Sequence, residues 1–232
     1  MVLLSEWKSL PEYIVLSAVG GHRVHVLDRF IESVKAFDPE PEEIVLCIDW
    51  DEFDLWRLRD RDDVTTLITS EAIGFSRGSC KRVGASKNLL SKYFTDSPYE
   101  WALIIDSDII CPPELPELML ETIEDENLVG LCHSYLGRGQ QLWSGGGLMM
   151  VHKDICKAST FYAADPGPDI RGGSEDFTFL AIARGISSII GEPIGRTGGI
   201  PRRDLVDTLH FIRPDMTDEE AIEELRIARS HT

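Results

Sequence analysis

The chain has 232 residues, 43% of them hydrophobic, and a formal net charge of −17 from 23 cationic and 40 acidic side chains. That length and apolar share suit one large α/β domain, or at most two small ones. The acid excess argues against non-specific binding to nucleic acid and against a purely electrostatic hold on anionic lipid.

An anionic ligand would have to be held by a metal or by a few local cations, and arginine supplies most of the cations here. No apolar run approaches the ~18 residues of a membrane span, so no transmembrane segment is expected. The N-terminus lacks a basic stretch before a long apolar core, so no secretory signal is expected either. The five cysteines, at positions 47, 80, 111, 132 and 156, form no CxxC pair. Reduced, mostly buried thiols in a cytoplasmic protein are the expectation.

In chain order, Tyr13–Val19 is a β-rich run ending in Gly20-Gly21, a strand and then a turn. Val24–Phe37 has helical periodicity: Val26, Phe30 and Val34 share a face with Leu27 and Ile31 beside it, and Asp38-Pro39 stops it. Ile44–Ile48 and Val64–Thr69 read as strands, which makes a βαβ unit. Residues 70–86 are polar, and Ser86 is placed to cap a helix through Phe94 with Leu89, Leu90 and Tyr93 inward. A strand at 101–105 follows, then a helix from Pro112-Pro113 to about Glu124. Leu128–Cys132 and Leu148–Val151 read as further strands. Ser174 can cap a helix from Glu175 to Arg184, Gly185 ends it, and Ile186–Ile190 is a last apolar strand. Thr217 with Glu220 forms a capping box for a C-terminal helix of about 217–229 holding Ile222 and Leu225. The loops at 163–173 and 193–209 are long and rich in Gly, Pro and Arg, as functional lids often are. The whole chain, 1–232, is expected to be a single domain.

The chemistry gathers first at Trp101–Cys111. The apolar run Trp101–Ile105 suits a strand buried on both faces. Asp106 and Asp108 follow where it ends, and open α/β sheets bind ligands outside the carboxyl ends of their strands. Two carboxylates there can share a magnesium or manganese ion, or divide between metal and ribose. A solvated turn is the plainer alternative. Gly145-Gly146-Gly147 would let a sugar approach the backbone closely, and Trp143 before them offers either a stacking face or a core residue. Glu175 and Asp176 fall in the first turn of their helix, where ionised carboxylates are favoured. One of them can therefore serve as a base, or both can simply satisfy the helix end.

The order of these features resembles the GT-A nucleotide-sugar glycosyltransferases. They are a first strand, Asp106-Ser107-Asp108 after a fourth strand, a glycine run, Gly172-Gly173-Ser174-Glu175-Asp176-Phe177 and a late His210. The middle looks like family 2 enzymes. Gly172–Gly185 is similar to the GGED helix of β-1,4-galactosyltransferases, with one serine inserted. The resemblance spans most of residues 13–212. It implies a GT-A (Rossmann-like) α/β domain with a mostly parallel central sheet flanked by helices. It also implies Mn2+ or Mg2+ held by Asp108 and His210, with Asp106 on the ribose or a metal-bound water. Nucleotide contacts then fall to Ser17, to Asp49 (or Asp51) at a strand end, and to Lys87. Acceptor contacts fall to Trp143, Gly146 and Gly147, and general-base catalysis to Asp176 with Glu175 beside it. One of Arg196, Arg202 and Arg203 would reach the pyrophosphate. The implied activity moves a sugar from a nucleoside diphosphate, UDP favoured, to a saccharide, lipid-linked or protein-linked hydroxyl with inversion. A sugar-phosphate nucleotidyltransferase, faintly suggested by Ala18–Arg23, and a non-catalytic carbohydrate-binding protein are the alternatives.

Overall fold

The computed structural model describes residues 10–20, 23–70, 80–136, 142–161, 200–211, 213 and 215–230, without the side chains of 80–81 and 142–146. Strands β1 (Tyr13–Val19), β2 (Glu43–Asp49), β3 (Thr65–Thr69) and β4 (Trp101–Ile105) are the expected apolar runs. They lie in the order β3-β2-β1-β4, all parallel. Strands β6 (Gly130–Leu136), β7 (Leu142–His152) and β8 (Arg202–Arg203) continue the sheet in the order β4-β7-β6-β8. Only β7 runs against its neighbours. This is the mostly parallel α/β sheet that the sequence predicts.

Both faces are covered, so the central strands need apolar side chains on each side. Helices α1 (Val24–Lys35) and α3 (Leu115–Asp125) pack on one face, over Tyr13, Val15, Leu46, Leu103 and Ile105. Helices α2 (Cys80–Asp96) and α4 (Lys153–Ala158) pack on the other, over Ile14, Leu16, Val45, Ala102 and Ile104. Each fully buried aliphatic side chain adds about 1.5–3 kcal/mol of transfer free energy. Helix α1 buries the five residues its periodicity picks out. Helix α3 starts later than the proline pair suggests, with Pro116 in its first turn and Asn127 turned to φ 52° just beyond its end.

The largest difference from the sequence reading is α2, which begins at Cys80, so Ser86 lies inside the helix and not at its start. Arg82, Ser86, Leu90 and Phe94 recur every four residues and are all buried. The stripe facing the sheet is thus polar over the carboxyl end of β2 and apolar further along. That polar beginning hides the helical period.

A two-stranded ladder, β5 (Ile109–Ile110) with β9 (Leu209–His210), sets His210 opposite Ile109. Helix α5 (Asp218–Ser230) fixes that ladder in place. Its Ala221, Leu225 and Ala228 pack with Val26, Leu136, Phe211 and Met216, while Ile222 stays exposed. The expected capping box is reciprocal: Thr217 N donates to Glu220 Oε2 at 2.9 Å, and Glu220 N donates to Thr217 Oγ1 at 3.2 Å. Among the described residues no helix is long and apolar enough to cross a membrane. Cys47, Cys111, Cys132 and Cys156 are buried thiols.

Candidate active site

The strand order reverses direction between β1 and β4, and crevices for ligands open at the carboxyl ends of strands flanking such a point. Arg23 stands shortly after β1, and Asp106 and Asp108 directly after β4. Asp49 is the last residue of β2, next to β1. Residues distant in sequence therefore meet at one end of the sheet.

Asp108 is buried and receives two partners on one oxygen. Arg23 Nη2 lies 2.7 Å from Asp108 Oδ2, and His210 Nε2 lies 3.0 Å from the same atom. Phe211 N donates to Asp108 O, and Arg23 Nη1 donates to Phe211 O at 3.1 Å. His210 Nδ1 donates to the carbonyl of Leu136, which leaves Nε2 facing the carboxylate. Burial alone would lower the pKa of His210, but its hydrogen bond with Asp108 and the charge of Asp108 raise it. Burial opposes ionisation of Asp108, and its hydrogen bond with His210 and the charges of His210 and Arg23 outweigh this and hold it below the ordinary carboxylate value. Sequence reasoning singled out Asp108 and His210 but not Arg23. The signal available was an arginine just beyond the Gly20-Gly21 pair that follows the first strand.

Asp106 points elsewhere. Its Oδ1 is 3.3 Å from Lys87 Nζ, and Lys87 is almost wholly buried, with Phe161 5.7 Å below the ammonium. Lys87 is therefore not a solvated helix lysine, because a buried ammonium needs a charge partner. Asp106 N donates to Gly147 O at 2.8 Å. Gly147 has to be small: a Cβ there would lie 2.5 Å from Tyr135 Oη and 2.9 Å from Asp106 Oδ2. The Tyr135 ring in turn meets His210 edge-on at 5.6 Å. Tyr135 thus sits between Gly147 and His210.

At the β2 end, Arg82 spans two acids. Its Nη1 lies 3.1 Å from Asp49 Oδ2, and Asp51 receives Nη1 and Nη2 at 2.7 Å each. Ser86 Oγ donates to Asp49 Oδ1 at 3.4 Å. Burial raises the Asp49 pKa by more than Arg82 and Ser86 lower it. An acid so placed can accept a hydrogen bond from a ring N–H. Ser17, in the middle of β1, is fully buried, and its hydroxyl has no partner among the described residues.

Two donor sets suit a divalent cation. Asp108 and His210 offer an oxygen and a nitrogen, with the second ring nitrogen of His210 tied to a carbonyl, as ligating histidines usually are. Asp49, Asp51 and Glu52 bring three carboxylates within 4.8 Å of one another. That cluster can hold a divalent ion, although Arg82 already supplies it with positive charge.

Trp143 and Gly146 lie on β7, Trp143 in register with Tyr135. Gly145–Gly147 are strand residues of β7. Arg202 and Arg203 occupy the far edge strand β8. There Arg202 Nε donates to Ser134 Oγ at 2.7 Å and Arg203 Nε to Glu126 Oε1 at 2.9 Å. Glu175, Asp176, the glycines before them and Arg196 lie outside the described residues.

No protein-family model matches the sequence, and no curated protein matches it closely enough to count as a relative. Solved structures do match. "Crystal Structure of a Mycobacterial Protein" aligns at TM-score 0.53 and 12% identity, over 95% of this chain and 73% of that one. S. aureus TarS 1–349 in complex with UDP-GlcNAc aligns at TM-score 0.50 and 12% identity, over 75% of this chain and 53% of that one. A second S. aureus TarS structure aligns at TM-score 0.50 and 14% identity, over 74% of this chain and 33% of that one. The present chain thus spans about half or less of the TarS chains it matches. At these identities the likeness defines the fold, a GT-A-type α/β sheet.

Proposed function

We propose that this protein is a glycosyltransferase that moves a sugar from a nucleoside diphosphate, a UDP-sugar first, to a hydroxyl acceptor. The observation that carries the reading is the pair of charge clusters at the sheet's switch point, Asp108 with Arg23 and His210, and Asp106 with Lys87. A diphosphate needs cationic groups at a strand end, and this otherwise acidic chain gathers them there. The complex of TarS with UDP-GlcNAc supports a nucleotide-sugar donor.

In this reading Asp49 accepts a hydrogen bond from the base and Ser17 lies under it. Asp106 takes the ribose, and Lys87 holds Asp106 in place while offering its charge to the phosphates. Asp108 and His210 hold Mn2+ or Mg2+, which stabilises the negative charge of the departing diphosphate. Trp143, Gly146 and Gly147 line the acceptor side. Asp176 removes the acceptor hydroxyl proton, with Glu175 binding the acceptor or the backbone. A base on the acceptor side implies direct displacement and inverted configuration. The acceptor is a saccharide or a lipid- or protein-linked hydroxyl.

The test is product analysis with a panel of nucleotide sugars and Mn2+. Release of nucleoside diphosphate is expected, with the anomeric centre inverted by NMR. Asp176→Asn should slow transfer by roughly 10²–10⁴ and leave UDP binding nearly unchanged. Release of pyrophosphate from a nucleoside triphosphate and a sugar phosphate would mark a nucleotidyltransferase. Near-normal transfer by Asp176→Asn would remove that residue's role.

A further inference from the structure

Arg23 holds a position that a divalent cation bound at Asp108 would contest. Its guanidinium lies 2.7 Å from Asp108 Oδ2, the same oxygen that His210 Nε2 faces at 3.0 Å. The carboxylate is only 5% exposed and the arginine 15%, so little water screens the contact. The arginine is also anchored, since Nη1 donates to the carbonyl of Phe211, the residue after His210. A divalent ion binding Asp108 Oδ2 and His210 Nε2 would meet this guanidinium at close range, and two cations on one buried oxygen repel strongly. A guanidinium displaced from a carboxylate has a natural second partner in a diphosphate, whose oxygens its two terminal nitrogens can grip together.

Resting on the nucleotide-sugar reading above, we propose that Arg23 is a resident counter-cation for Asp108. In the free protein it occupies the carboxylate and keeps the divalent ion weakly bound. When a nucleoside diphosphate arrives, Arg23 transfers to the phosphates and Asp108 becomes available to the metal. Metal and nucleotide then bind cooperatively because one side chain is exchanged between them. No covalent step is involved.

The test follows Mn2+ binding to the full chain by the loss of the free-ion EPR signal, with and without saturating UDP. Wild type should bind Mn2+ alone weakly and about tenfold or more tightly with UDP, a normal size for a coupling between two ligands. Arg23→Gln should bind Mn2+ alone about tenfold tighter than wild type and show little further gain from UDP. Arg23→Lys keeps the charge but cannot span both Asp108 and Phe211, and should fall between the two. It also gives the reading if Arg23→Gln folds poorly by circular dichroism. Mn2+ affinity without UDP that is equal or weaker in both variants would overturn the role of Arg23 and leave the nucleotide-sugar reading standing. Wild type that binds neither Mn2+ nor UDP would overturn both.

Discussion

Gly147→Ala is the smallest change that tests how the two acids of the site are held. Gly147 does not have a positive φ, so alanine is compatible with its backbone and the penalty is steric alone. The new Cβ would lie 2.5 Å from Tyr135 Oη, 2.7 Å from Tyr135 Cζ and 2.9 Å from Asp106 Oδ2, where ordinary contact begins at 3.4 Å. The phenol must therefore retreat by about 0.9 Å and the carboxylate by about 0.5 Å to reach ordinary contact. Tyr135 is buried and its ring meets His210, so its movement is passed to the Asp108 partner as well. Overpacking of this kind costs about 1–3 kcal/mol, offset slightly by the lower unfolded-state entropy of alanine. Displacing Asp106 should also weaken UDP binding by about tenfold, equivalent to ~1.4 kcal/mol. Urea denaturation measures the first effect, and calorimetric titration of UDP with Mn2+ the second. In a Tyr135→Leu background the closest contact is gone, so the added cost of Gly147→Ala should shrink, a coupling that a double-mutant cycle reads directly. Unchanged stability and unchanged UDP affinity in Gly147→Ala would refute the argument.

Two further predictions concern charge and pH. Arg82→Gln should cost about 2–4 kcal/mol at pH 7, because it leaves the buried Asp49 without its cationic partner beside Asp51 and Glu52. Asp49 already has a raised pKa, and a raised carboxyl gains stability as pH falls through its folded value. The Arg82→Gln deficit should therefore shrink between pH 7 and pH 5 in urea titrations, and a pH-independent deficit would contradict the pairing. His133 is the opposite case. It is fully buried, its Nδ1 donates to Ser134 O, and its Nε2 accepts from the backbone N–H groups of Leu205 and Val206. Those contacts require the neutral ring, and burial lowers its pKa below 6.5. The unfolded chain then takes up a proton first, so this contribution is lost as pH falls below about 6.5. His133→Asn should be less stable than wild type near pH 7, with a difference that narrows toward pH 5. A constant difference would show that His133 is not held neutral.

Much of the architecture was legible because it is apolar and local. The runs at Tyr13–Val19, Ile44–Ile48 and Trp101–Ile105 read as strands, and α1 is marked by its period. The parts that were not legible are those where buried polar residues take the place of apolar ones. Helix α2 begins with Arg82 and Ser86 on the inward stripe, so its first turns look like a polar loop. Strand β6 extends beyond Cys132 through the buried polar residues His133 and Ser134, and β7 begins before Leu148, taking in a run of glycines that offers no apolar pattern. The ladder β5–β9 is two residues long, too short for any periodicity, and it is what brings His210 to Asp108 across 102 positions. Asp106, Asp108 and Asp49 could be found from their places at strand ends. Arg23 is marked only by its place just beyond the glycine pair after the first strand, because its contact depends on a partner supplied by a different strand end. Lys87 could be nominated by resemblance, but only burial distinguishes it from a surface lysine.

In the proposed function, Asp108 and a divalent ion together hold a nucleoside diphosphate at the end of β4. Calorimetric titration of UDP into wild type and Asp108→Asn, each with Mn2+ and with EDTA, tests it most directly. The expected result is that EDTA weakens wild-type binding by about tenfold or more, and that Asp108→Asn with Mn2+ binds UDP no better than wild type in EDTA. UDP affinity that is indifferent to both EDTA and Asp108→Asn, or no UDP binding at all, would contradict it.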